Sequence, residues 1–102
     1  MDPQTAVGDF IDANDLQTDP AYRVLDLVSE VGEVAKNVNT STKYGTRAEA
    51  ASIDETEVGD VLFATYALAE EAGIDAESAL QQALDKYRNR IADTSNPGSG
   101  AE

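Results

Sequence analysis

A chain of 102 residues has room for one domain and one core. It carries 20 acidic and 7 basic residues, a net charge of −13, and neither histidine nor cysteine. Disulfides, thiolate and imidazole chemistry and most transition-metal sites are thereby excluded, and a nucleic-acid partner, which Lys and Arg would have to hold, is not expected. No apolar run approaches a membrane span and no charged-then-apolar leader opens the chain, so neither membrane contact nor export is expected and the location reads as cytoplasmic. Three lysines, many aspartates, and Ala and Val in place of bulkier apolar residues read as adaptation to high salt. At about 1 M salt the Debye length is about 3 Å, and the self-repulsion of such a chain largely disappears. Regular apolar spacing argues against disorder; an acidic mimic of nucleic acid is the rarer alternative.

Asp2-Pro3 is an N-cap followed by proline at the first helical position, and Val7, Phe10 and Ile11 supply a stripe, so a first helix is expected over about 3–13. Asn14-Asp15 breaks it, and Asp19-Pro20 opens a second helix by the same device. Along this helix Val24, Val28, Val31, Ala35 and Val38 share one face. Residues 39–47 read as a loop, with Thr46 placed to cap a short helix over 48–52. A third helix spans about 54–72, with Val58, Val61, Leu62, Thr65, Leu68, Ala69 and Ala72 as its stripe and Gly73 just past its end. Asp75 caps the fourth, which carries Leu80, Leu84, Tyr87 and Ile91 on one face. Nothing alternates with period two. The expected fold is therefore all-α, a four-helix domain over residues 1–93 followed by a disordered polar tail over 94–102. Leu25, Leu27, Val34, Phe63 and Tyr66 lie off the main stripes and need a second surface, so completion as a homodimer or homotetramer is expected.

Two blocks echo one another, Ser29-Glu-Val-Gly-Glu-Val34 and Thr56-Glu-Val-Gly-Asp-Val61. Glu30 and Glu33 share a helix side, as do Glu57 and Asp60, with Cβ atoms about 5–6 Å apart in each pair. Packing of the second helix on the third would bring all four carboxylates to one point, with no cationic cluster in the same blocks. A hard divalent cation, Mg²⁺ or Mn²⁺, suits such all-oxygen donors. The competing structural use of Glu57 is a capping box with Asp54, and Glu33 could pair with Lys36 or Asn37. Gly32 and Gly59 lie about 130° around the helix from their carboxylates, at about 100° per residue, and read as places where a neighbouring helix approaches closely.

These blocks, 23 residues apart, with LVSEVGEVAK before the loop and EVGDVLFATYALAEEAGID after it, resemble the MazG family of all-α nucleoside triphosphate pyrophosphohydrolases over about residues 10–92. The resemblance implies a MazG-like helical bundle that hydrolyses nucleoside or deoxynucleoside triphosphates to the monophosphate and pyrophosphate, in housecleaning of the nucleotide pool. Glu30, Glu33, Glu57 and Asp60 would then be metal ligands and catalytic residues, one of them acting as base. Lys86 and Arg90, at i and i+4 on the fourth helix, would contact the phosphates, with Lys36 and Asn37 as weaker candidates. Tyr66 and Phe10 could stack on a base but suit the core better. The chain departs from the family pattern at Ser29, where many relatives have an acid, and at Ile53, where they often have a basic residue. The alternative is a non-catalytic bundle that keeps the acids for metal or for a protein partner.

Overall fold

The structure, a computed structural model, describes residues 2–94 and consists there of four α-helices with no strand. They are α1 (Pro3–Ala13), α2 (Pro20–Ser41), α3 (Glu55–Ala72) and α4 (Ala76–Thr94), with a short 3₁₀ turn at Ala48–Ala50 between α2 and α3. The all-α, four-helix expectation is met; of the tail expected over 94–102, Thr94 still belongs to α4 and 95–102 lie outside the described residues. The helix starts follow the local chemistry. Asp2 accepts from Thr5 N, Asp19 from Ala21 N, Asp54 from Thr56 N, and Asp75 from Glu77 N and Ser78 N. Gly73 ends α3 with φ 69°, a left-handed value that glycine adopts without strain. The Thr46 cap is not formed. Its hydroxyl donates to Thr42 O and Lys43 O instead, and the expected helix shrinks to the three-residue turn.

Packing is built on α3, which receives α2 along one side and α1 along another. The core is small: Ile11 of α1 and Ala64, Ala67 and Ala69 of α3 are the buried apolar residues. Alanines let the helices approach closely, and on α1 Gly8 serves the same end. A Cβ there would fall 2.6 Å from Glu70 Oε1. Phe10 meets Phe63 edge to face, with ring centroids 5.8 Å apart, so both aromatic rings join α1 to α3. Gln4 ties the start of α1 to the α3–α4 turn, donating to Glu70 and Ile74 O and accepting from Ala76 N.

The packing face of α2 differs from the expected valine stripe. Val24, Val28 and Val31 are exposed, whereas Leu27, Glu30, Val34 and Asn37 are half-buried and Arg23 is buried. On α3, likewise, Val61 and Leu68 turn inward while Val58 and Leu62 stay exposed. The reason is a polar anchor. Arg23 Nη2 reaches Glu71 Oε2 of α3 at 3.1 Å and Leu16 O of the α1–α2 linker, while Glu71 also accepts from Thr18 N. Burying this pair fixes the rotation of α2 and leaves the valines outside. Helix α4 diverges after Gly73 and packs along none of the other helices, so Leu80, Tyr87 and Ile91 are exposed as well.

Candidate metal and phosphate site

The α2–α3 interface is antiparallel: Arg23 near the start of α2 meets Glu71 near the end of α3, and Asn37 meets Asp54 at the opposite end. Between these ends the two acidic blocks face one another. Glu30, Glu57 and Asp60 each offer a carboxylate oxygen, and the three atoms lie within 4.8 Å of one another. Glu33 stands outside this triple but close enough to act on it. Burial pushes the Glu57 carboxyl above the usual glutamate value, and the neighbouring charges of Asp60, Glu33, Asp54 and Glu30 push it further. Among the described residues, none of the four acids has an ion-pair partner and none accepts a hydrogen bond from the chain.

Glu57 is not the second half of a capping box. Asp54 does cap α3, but the Asp54 N–H that Glu57 would satisfy donates instead to Asn37 Oδ1 at 3.1 Å. The Glu57 side chain is left to face the other acids. Asn37, a candidate for phosphate contact, has its carbonyl committed to this cross-link between the helices. It lines a cleft together with Glu33, Lys36, Thr40, Ser41, Ser52 and Asp54, so Lys36 stands beside the acids, its ammonium in no ion pair among the described residues. A second cavity, of about 280 Å³, is lined by Arg23, Asp26, Glu30, Asp60, Phe63 and Ala64.

Lys86 and Arg90 are not brought to this place. They lie over the Tyr87 ring of α4, 5.2 and 5.6 Å from its centroid, and line neither cavity. Gly32 and Gly59 also behave otherwise than expected. Both are exposed, and a Cβ on either would meet nothing within 4 Å, so none of the described helices approaches there. The close approach is made at Gly8.

The donor set fits one class of ion. Three convergent carboxylates without nitrogen or sulfur ligands suit a hard divalent cation, and such a charge would offset the repulsion that adds to the effect of burial at Glu57. The model of the MazG nucleotide pyrophosphohydrolase domain matches residues 19–94. The chain belongs to this family. An uncharacterized protein of Bacillus subtilis (strain 168), YpjD, is 35% identical over 78 residues, which make up 72% of this chain and 68% of that protein. No solved structure matches the chain. The matched span of this MazG-family chain contains α2, α3 and α4, and with them all four acids.

Proposed function

We propose that the protein is a divalent-cation-dependent pyrophosphohydrolase that cleaves nucleoside or deoxynucleoside triphosphates between the α and β phosphates. The observation that carries this reading is the convergence of Glu30, Glu57 and Asp60 from two helices, with Glu33 beside them and, among the described residues, no ion pair made by any of the four. Glu30, Glu57 and Asp60 would hold the ion, Mg²⁺ or Mn²⁺, with Glu33 as the fourth acid on its margin. Bound there, the ion supplies positive charge to the polyphosphate and lowers the pKa of water. Glu57, whose carboxyl titrates high, is the residue best suited to take a proton from the attacking water. Lys36 offers a cation at the edge of the same site.

The exposed apolar residues Leu80, Tyr87 and Ile91 of α4 and Val24, Val28 and Val31 of α2 support assembly with a second copy, as a dimer or tetramer. Such an assembly is also the route by which Lys86 and Arg90 could meet substrate. The charge of −13 supports a cell interior rich in salt as the working environment. Among the described residues, no helix is long and apolar enough to cross a membrane.

Incubation with each triphosphate, Mg²⁺ and molar KCl should release pyrophosphate, and Glu57→Gln should abolish turnover while the chain stays helical. A folded parent protein that cleaves none of them refutes the reading. Metal binding without turnover would favour the non-catalytic bundle.

A further inference from the structure

The acids account for a cation but leave the anionic substrate without a fixed partner from the chain, and the cations expected on α4 do not reach the site. One cationic side chain lies in the wall of the acid cavity. Arg23 stands seven residues before Glu30 on α2, two turns away and on the same face. It lines the cavity of about 280 Å³ with Glu30 and Asp60. Its side chain is only 9% exposed, so it is held rather than swinging in solvent.

The hydrogen bonds of this guanidinium are unevenly spent. Nε and Nη2 both donate to Glu71 Oε2, and Nη2 also donates to Leu16 O. Nη1, with two N–H groups, donates to nothing among the described residues. No buried side-chain nitrogen or oxygen among the described residues lacks a partner, so Nη1 is open to the space beside it. A planar guanidinium with one edge clamped by a carboxylate presents its other edge in a fixed direction. Both unspent donors are matched to an oxyanion. The nearby carboxylates Asp26, Glu30 and Asp60 repel a free anion, but they accept one that arrives with a divalent cation.

We propose that Arg23 is a substrate-binding residue of the acidic site, its Nη1 edge donating to a phosphate oxygen of the polyphosphate while Glu71 holds the opposite edge. The assignment rests on the reading of the site as a place for a metal-bound polyphosphate. It goes beyond that reading in naming the α2 arginine, in place of the α4 cations, as the phosphate donor within a single chain. Glu71 is then a positioning residue, acting through Arg23.

The test is calorimetric binding of inorganic tripolyphosphate with Mg²⁺ at molar KCl, alongside Mn²⁺ binding in the absence of polyphosphate. Two variants are used. Arg23→Lys keeps a cation for Glu71 but lacks the second edge. Arg23→Met with Glu71→Leu removes the pair and strands no buried charge. Both should bind tripolyphosphate about 10- to 100-fold more weakly, the loss of a charge-assisted hydrogen bond, with Mn²⁺ affinity unchanged. Parent-like tripolyphosphate affinity in both variants overturns the proposal. So does a parallel fall in Mn²⁺ affinity, which would make Arg23 a support for the carboxylates, and so does a parent that binds no tripolyphosphate. Nucleotide hydrolysis by the parent is scored separately. Arg23-dependent binding without hydrolysis refutes the enzyme and leaves the binding site standing.

Discussion

Replacing Glu71 by alanine should cost more than any other single change at the α2–α3 interface. Arg23 and Glu71 have side chains 9% and 13% exposed, and their pairing is backed by Leu16 O and Thr18 N. Glu71→Ala leaves the guanidinium buried with one backbone acceptor and leaves the Thr18 N–H without its partner. Breaking a buried pair from one side costs about 3–5 kcal/mol. A domain of this size has about 5–14 kcal/mol of stability in all, and each kcal/mol moves its melting point by about 4–8 °C. The variant should therefore melt at least about 12 °C below the parent. Arg23→Met combined with Glu71→Leu should recover most of the loss, because only two backbone groups then lack partners, at about 1 kcal/mol each. Thermal unfolding followed by far-UV circular dichroism, at low salt and in molar KCl, measures both. The difference between the variants should persist in both buffers, since a buried pair is screened little. If Glu71→Ala melts within about 3 °C of the parent, or the double variant melts no higher than the single one, the pair is not the anchor described.

Three further outcomes are expected. The raised pKa of Glu57 means that the folded chain binds its proton more readily than the unfolded chain does. Stability without metal should thus rise as pH falls through the range just above the ordinary glutamate value, and be lost again as pH rises through the folded value. A divalent cation must displace that proton, so Mn²⁺ affinity titrated downward from about pH 8 should reach half its high-pH value above about pH 4.3, the ordinary glutamate value, and a midpoint at or below it contradicts the cluster. Gly32→Ala and Gly59→Ala should each raise the melting point by up to about 8 °C, since a Cβ meets nothing in the chain and alanine favours helix by about 1 kcal/mol. A lower melting point instead would reveal a neighbouring copy at those positions. Leu80→Asp with Ile91→Asp on α4 should reduce the sedimenting mass to that of a single chain; an unchanged mass places the contact between copies elsewhere.

The elements themselves were legible because their signals are local. Asp-Pro at 2–3 and 19–20, Asp54, Gly73 and Asp75 act within a few residues of themselves, and each stands at a helix end. The acidic blocks were legible for a similar reason, their spacing being a property of one helix at a time. The rotation of α2 was not. That helix carries apolar residues on two faces, Val24-Val28-Val31 and Leu27-Val34, and periodicity cannot rank them. The face is chosen by a pairing 48 residues apart, between Arg23 and Glu71, each of which reads as a surface residue on its own. A signal did exist. Arg23, Leu27, Glu30 and Val34 share one face of a helix, and an arginine in line with leucine, valine and a motif acid suggests a buried charge. The glycines misled because a small residue marks a close approach only when its face meets another helix. Gly8, outside the repeated motif, is the one that does so.

The placement of the polar anchors bears on why the acids can stand together at all. Three carboxylates that converge from two helices repel one another, and the small core at Ala64 and Ala67 offers little apolar area to resist them. The interface is instead fastened at both ends. Arg23 with Glu71 closes one end. At the other, Asn37 accepts from Asp54 N and Ser41 accepts from Ser52 N at 2.9 Å. With its ends fixed, the middle of the interface cannot relax by separation, and burial together with the neighbouring charges holds the Glu57 carboxyl above its usual value. On the proposed function, a cation would meet ligands that already stand together and need not be drawn in. On this argument the acids meet because the helix ends stay closed, by the Arg23–Glu71 pair or by an apolar pair of similar volume in its place, and not because of the charge of Arg23 itself.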